Sequence, residues 1–136
     1  MVFTINNNEI VSLLGSYETL PNATFNSNVV SNRYENGIGV ITFDSSVTTI
    51  KDGSFRLKDN LVSIYLPKTL NRISCDAFYS CTNLEEVYIN CESLSIIQLS
   101  TALNPTLTNP FQFCTSLTKF IGKQVSVDGK CLIING

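Results

Sequence analysis

Histidine is missing from all 136 residues. That one absence removes the Ser–His–Asp triad, the Cys–His dyad, His-ligated zinc and imidazole general-base chemistry together. Charge is sparse and nearly balanced: nine Lys and Arg stand against eleven Asp and Glu, for a formal net charge of −2. No region carries the dense basic surface that phosphate-backbone binding needs, so no nucleic-acid partner is expected. No apolar run approaches the length of a membrane span, so no membrane insertion is expected. The first twenty residues have neither a Lys nor an Arg nor a long apolar run, and no secretion signal is visible in this chain. The five cysteines, Cys75, Cys81, Cys91, Cys114 and Cys131, are odd in number and have no C-x-x-C spacing. This argues against a complete disulfide framework and a cysteine zinc site, and leaves buried free thiols as the expectation.

What is present is a repeat. With 43% hydrophobic and 15% charged residues, the chain has the size and composition of one domain or a short repeat array. Shifting the chain by 23 pairs Ile38 with Leu61, Ile41 with Ile64, Phe43 with Leu66, Val47 with Leu70, Ile50 with Ile73 and Phe55 with Phe78. A second shift of 23 carries the first three series to Leu84, Val87 and Ile89, after which a shift of 33 is needed to pair Phe78 with Phe111, Cys81 with Cys114, Leu84 with Leu117 and Val87 with Phe120. Ten residues are therefore inserted between Ile89 and Phe111. The segment 90–110 holds Asn104-Pro105 and Asn109-Pro110, whose prolines force turns, and reads as a loop bulging from the third coil.

Ile64 and Leu66 flank Tyr65 with the period of a half-buried strand, Pro67 ends it, and Leu70 with Ile73 suits a second extended piece. Asp76 to Cys81 has room for one helical or 3₁₀ turn. No such unit buries its apolar residues alone, so the units must stack as a solenoid with coils ~4.8 Å apart. Four parallel strands near Ile41, Ile64, Val87 and Phe120 are expected as neighbours in one sheet, in that order.

Val47-Thr-Thr-Ile-Lys-Asp-Gly-Ser-Phe55 and Leu70-Asn-Arg-Ile-Ser-Cys-Asp-Ala-Phe-Tyr-Ser-Cys-Thr-Asn-Leu-Glu-Glu-Val-Tyr-Ile89 resemble BspA-type leucine-rich repeats. The resemblance spans about residues 38–122 and departs from the pattern at the insertion and at Gly122, which takes the place of an apolar strand residue. It implies a leucine-rich-repeat solenoid, mainly β with short helical or 3₁₀ turns, an α/β superhelix by family convention. It further implies a surface or secreted protein of bacterial type that acts in adhesion.

The expected organisation is capping strands and a hairpin over 1–37, repeats over 38–122, and a C-terminal hairpin over 123–136. Asn36-Gly37 between the apolar runs Val29 to Tyr34 and Ile38 to Phe43 marks the first hairpin, and Asp128-Gly129 the second. Ile10, Val11, Leu13 and Leu14 read as a short strand packed over the first coil. The turn dipeptide Asn135-Gly136 suggests an array cut short, whose exposed C-terminal edge would permit self-association.

No catalytic constellation assembles. Glu85 and Glu86 are adjacent, so on a strand they face opposite ways and cannot pinch one substrate. No G-x-S-x-G, S-x-x-K or phosphate-loop spacing occurs, Gly37-Ile38-Gly39 lacks the rest of a dinucleotide fingerprint, and Asn22-Ala23-Thr24 is read as a chance sequon. The expectation is a non-enzymatic chain with no catalytic residues, no metal site and no cofactor. The binding candidates are the outward strand positions: Thr42, Tyr65, Tyr88 and Ile121 as one ladder, with Ser63, Glu86 and Lys119 beside it. Solvent-facing tyrosines on consecutive coils suit a protein partner or a glycan, and the resemblance implies that the protein partner is a host matrix or cell-surface protein. Two readings stand beside protein binding: a carbohydrate module stacking sugars on Tyr65 and Tyr88, and a structural spacer with no ligand.

Overall fold

A computed structural model describes residues 5–15, 27–51, 53–74 and 76–91, the backbone of 96–97, and residues 110–122. Nine strands are formed: β1 (Glu9–Leu14), β2 (Val29–Glu35), β3 (Ile38–Phe43), β4 (Thr49–Ile50), β5 (Leu61–Leu66), β6 (Arg72–Ile73), β7 (Glu86–Ile89), β8 (Ile96–Ile97) and β9 (Lys119–Gly122). They make an open six-stranded sheet in the order β2-β3-β1-β5-β7-β9 and a three-stranded sheet in the order β4-β6-β8.

The parallel half of the large sheet follows the sequence period. Ile64 pairs with Val87 and Tyr65 with Tyr88, one period apart, and Val87 pairs with Phe120 across the longer shift of 33. In the small sheet Ile50 pairs with Ile73, again one period on, and Ile73 with Ile97, a single position beyond the period. The segment 90–110 is therefore not wholly loop: its 96–97 stretch extends the small sheet. Most of the ten extra residues fall after it. Gly122 ends β9 opposite Ile89 with φ +145°, and a Cβ there would come within 1.5 Å of the Ile89 carbonyl oxygen. The departure from an apolar residue at this position is thus a requirement of close backbone approach.

The antiparallel half corrects the expected strand order. β3 does not touch β5; β1 lies between them and pairs antiparallel with both. Inserted there, β1 satisfies its peptide groups on both edges, whereas a strand laid over the first coil would leave them unpaired. Its Ile10 and Leu14 join the core (1% and 7% exposed). The inward position opposite Gly39 is the small Ser12, and a Cβ on Gly39 would meet Ser12 Oγ at 2.8 Å and Leu14 Cδ1 at 3.0 Å. The hairpin β2–β3 turns as the sequence indicates, with Asn36 at φ 51° and Gly37 at φ 83°, the left-handed pair of a type I′ turn.

No helix occurs among the described residues, and the expected helical or 3₁₀ turns are successions of single turns. The N–H groups of Arg56, Tyr79, Lys58, Cys81 and Cys114 each bond the carbonyl three residues back. Left-handed residues interrupt the run at equivalent corners, Gly53 and Asp76, then Leu57, Ser80 and Phe113. A single αL residue is enough to stop a right-handed helix from propagating.

Between the two sheets Phe55, Phe78 and Phe111 stack in a ladder, with centroids 5.1 Å apart at each step and rings within 6° of parallel. That distance matches the spacing of paired strands. Cys81 and Cys114 occupy equivalent places beside the ladder. Their thiols donate to the carbonyls of Phe55 and Phe78, each at 2.9 Å. Cys81, Cys91 and Cys114 are free thiols, and no bond joins Cys81 to Cys114. Cys75, Cys131, the sequon at Asn22, Asn104-Pro105, Asn109 and the expected C-terminal hairpin lie outside the described residues.

Candidate functional site

The outward face of the large sheet is organised in rows across the strands. One row reads Arg33, Val40, Val11, Tyr65, Tyr88 and Ile121, from β2 through β3, β1, β5 and β7 to β9. The next reads Glu35, Ile38, Leu13, Ser63, Glu86 and Lys119. Five apolar or aromatic side chains therefore run in line across the sheet beside a mixed row that is polar at both ends. Alternation on each strand brings them to one face.

Of the seven residues singled out in the sequence, six lie in these two rows. Thr42 does not: β1 separates it from Tyr65 and sets it opposite Glu9 and Ser31. Val11 fills the intervening place, which the 23-residue spacing could not reveal because β1 lies outside the residues that pair at that spacing. The rows are not uniformly open either. Ser63 and Tyr65 are each 5% exposed, and Val11 7%. Glu86, Tyr88 and Ile121 are half-buried and Lys119 is exposed, as are Arg33 and Glu35 on β2, so solvent meets these rows at their two ends and least at Val11, Ser63 and Tyr65.

Tyr65 and Tyr88 stack face to face, with centroids 4.2 Å apart and 13° between planes. The Tyr88 hydroxyl donates to Glu86 Oε2 at 2.6 Å. Removing its proton would set a phenolate against a carboxylate. This hydrogen bond first, and burial second, push the Tyr88 phenol well above the ordinary tyrosine range. Lys119 stands opposite Glu86 on the neighbouring strand. Glu85 is exposed and Glu86 half-buried, on opposite faces as adjacent strand residues must be. Among the described residues there is no cluster of three or more metal-ligating side chains.

A second surface feature was not legible beforehand. At the turn corners Leu57 (59% exposed) and Phe113 (54%) hold left-handed backbone, where glycine or asparagine is favoured. Beside them the Arg56 guanidinium lies over the Tyr79 ring at 4.5 Å and pairs with Asp76 at 3.2 Å, while Tyr79 meets Phe113 edge-on.

These features recur along the chain: an apolar strand, left-handed corners beside a stacked phenylalanine and, after Phe78 and Phe111, a cysteine bonded to the carbonyl of the preceding phenylalanine of the ladder. The sequence pattern of the BspA type Leucine rich repeat region (6 copies) matches residues 2–98 and 34–128. The chain belongs to the BspA-type leucine-rich repeat family. The match reaches both ways beyond the 38–122 in which the spacing is plainest, and it takes in β1 and β2. No curated protein and no solved structure matches the chain. Within this BspA-type array the ladder cysteine is Cys81 or Cys114 in the later coils, whereas Lys58 stands at the equivalent place in the first. Lys58 keeps the same backbone turn to Phe55 that Cys81 makes to Phe78.

Proposed function

We propose that this chain is a non-enzymatic protein-binding repeat module whose coils stack as a solenoid on the repeat period read from its sequence. Its contact surface is the outward face at the β7–β9 end, where Glu86, Tyr88, Lys119 and Ile121 meet solvent. The observation that carries this reading is the apolar row of Val40, Val11, Tyr65, Tyr88 and Ile121, anchored by buried residues and opening at Tyr88 and Ile121. A side chain fixed by a buried neighbour loses little freedom on binding, so the ordering cost falls on the partner. Belonging to the BspA-type family supports a role in protein interaction. An adhesin-like role at the bacterial cell surface, or in a secreted protein, with a host matrix or cell-surface protein as partner, extends that reading.

The stacking of Tyr65 on Tyr88 counts against the carbohydrate alternative, because each ring spends a face on the other. A sugar platform needs a free ring face, and on the remaining sides the row sets Val11 beside Tyr65 and Ile121 beside Tyr88. The experiment compares the wild-type chain with Tyr88→Ser/Ile121→Asp on a panel of purified matrix proteins and on a glycan array, with circular dichroism to confirm the fold. Protein binding in the wild type, weakened at least tenfold in the variant, is the expected outcome. Binding that survives the double substitution would move the site elsewhere. Signals on the glycan array alone would favour the carbohydrate module, and none on either would favour the spacer.

A further inference from the structure

Tyr65 on β5 and Tyr88 on β7 are register partners in a parallel pair, one period apart in sequence. Paired strands lie about 4.8 Å apart, and the phenylalanine ladder keeps 5.1 Å between its rings. The two tyrosines are drawn closer, to 4.2 Å between centroids with 13° between planes. One of them also holds a proton acceptor. The Tyr88 hydroxyl donates to Glu86 Oε2 at 2.6 Å, and it is hydrogen-bonded to the Tyr65 hydroxyl as well. Glu86 and Tyr88 are half-buried, so the outer end of this chain of groups reaches solvent while Tyr65 is nearly enclosed.

The arrangement suits oxidation rather than ionisation. Tyr88 keeps its proton throughout the neutral range, so an electron leaves it readily only if the proton leaves too. A carboxylate at 2.6 Å is within reach for that transfer. Unpaired spin in a phenoxyl ring lies in orbitals perpendicular to the ring plane, so two such radicals join through their faces. Stacked rings present those faces to each other. Tyr79 is the contrasting case: the Arg56 guanidinium lies over its ring at 4.5 Å, and a cation there opposes the loss of an electron.

We propose that Tyr65 and Tyr88 form an oxidative cross-linking site, at which a one-electron oxidant of the high-valent metal class, a ferryl haem or ruthenium(III), joins the two rings as dityrosine. The first oxidising equivalent takes an electron from Tyr88 as its phenolic proton passes to Glu86, which releases it to water. A hydrogen atom passing from the Tyr65 hydroxyl to the Tyr88 oxygen moves the radical inward, and a second equivalent then oxidises Tyr88 by the same route. The two phenoxyls couple between ring carbons ortho to the oxygens. Each ring then gives up the hydrogen on that carbon and regains its hydroxyl hydrogen. One C–C bond thus replaces two C–H bonds, with two electrons passed to the oxidant and two protons to water. The site shares Tyr88 with the contact surface proposed above and does not depend on it, since its product forms without a partner.

The test exposes the full chain, dilute enough to keep chains apart, to light-generated tris(bipyridine)ruthenium(III) with persulfate as the terminal oxidant. Dityrosine fluorescence and the masses of proteolytic peptides are followed. The wild-type chain should stay monomeric on a denaturing gel and yield a cross-linked peptide pair joining Tyr65 to Tyr88. Tyr65→Phe and Tyr88→Phe, each of which keeps the ring, should remove that product and lower the monomer's fluorescence several-fold. Glu86→Gln still accepts a hydrogen bond but takes up no proton, and should slow product formation several-fold, whereas Glu85→Gln on the other face should not. Dityrosine found only between chains, or mapped to Tyr34 or Tyr79, overturns the proposal. A Glu86→Gln chain that reacts at the wild-type rate overturns it as well.

Discussion

The two halves of the large sheet are built by different rules. On the C-terminal side β5, β7 and β9 are parallel, and their register is the sequence period, lengthened at the second step by the insertion. On the N-terminal side β2, β3 and β1 are antiparallel, and a two-residue Asn-Gly turn together with an inserted strand sets the register. The small sheet makes the contrast sharp, because there β4 pairs directly with β6 at one full period. The two sheets therefore differ at this end: β4 meets β6 directly, while β1 comes between β3 and β5.

The strongest effects test whether the halves form one cooperative unit. Ile10 of the inserted strand and Phe78 of the ladder are both essentially buried and belong to one core cluster. Ile10→Ala and Phe78→Ala should each cost about 2–5 kcal/mol and lower the midpoint of a single urea transition. Two separated transitions, with only one moved by each substitution, would mean that the two halves fold independently. An unchanged midpoint for Phe78→Ala would remove it from the core.

Weaker effects distinguish how the halves turn their corners. Gly37, in the hairpin, holds φ 83°, and Gly37→Ala should cost ~1–2 kcal/mol by thermal melting. Leu57, at a repeat corner, holds φ 61° with its side chain 59% exposed. Leu57→Gly relieves that strain while adding chain entropy to the unfolded state, so the net change should lie within about 1 kcal/mol of zero. A loss much larger than this would show that the exposed leucine makes a contact that stabilises the repeat.

The weakest effect is a local one at the β7–β9 end. In a spectrophotometric pH titration Tyr88 should ionise well above the ordinary tyrosine range, and Glu86→Gln should return it toward that range. The sign follows from linkage. Tyr88 keeps its proton in the folded chain at a pH where the unfolded chain has lost it, so its contribution to stability is present below about pH 10 and is lost as pH rises. Cys91, whose thiol burial pushes up to about 11, adds a loss of the same sign that begins near pH 9. Stability that rose between pH 9 and 11 would contradict both assignments.

Much of the fold was legible because it is local or periodic. Ile64 and Leu66 around Tyr65 announced a half-buried strand, Asn36-Gly37 announced its hairpin, and Phe55, Phe78 and Phe111 recurred at the spacing that stacks them. The face taken by the seven candidate binding residues was legible for the same reason, and Thr42 alone falls outside the two rows because β1 displaces it. Burial of Tyr65 and Ser63 was not legible, since alternation tells which face a residue takes but not how much solvent reaches it. Nor were the corners at Leu57 and Phe113, where side chains ill suited to left-handed backbone hide the turn.

The repeat, its period, the inward and outward faces, and the break caused by the ten extra residues are all written in the order of the side chains. The place of the first repeat strand is not, and long-range pairing settles it. With β1 in place, Val40 stands level with Tyr65 rather than with Ser63, a slip of two positions from the period. A slip of one would have turned every side chain to the wrong face and been visible in the hydrophobic pattern, but a slip of two preserves the pattern whole. The choice between direct pairing of β3 with β5 and insertion of β1 between them rests on long-range satisfaction of backbone hydrogen bonds, which leaves no mark in the alternation of side chains.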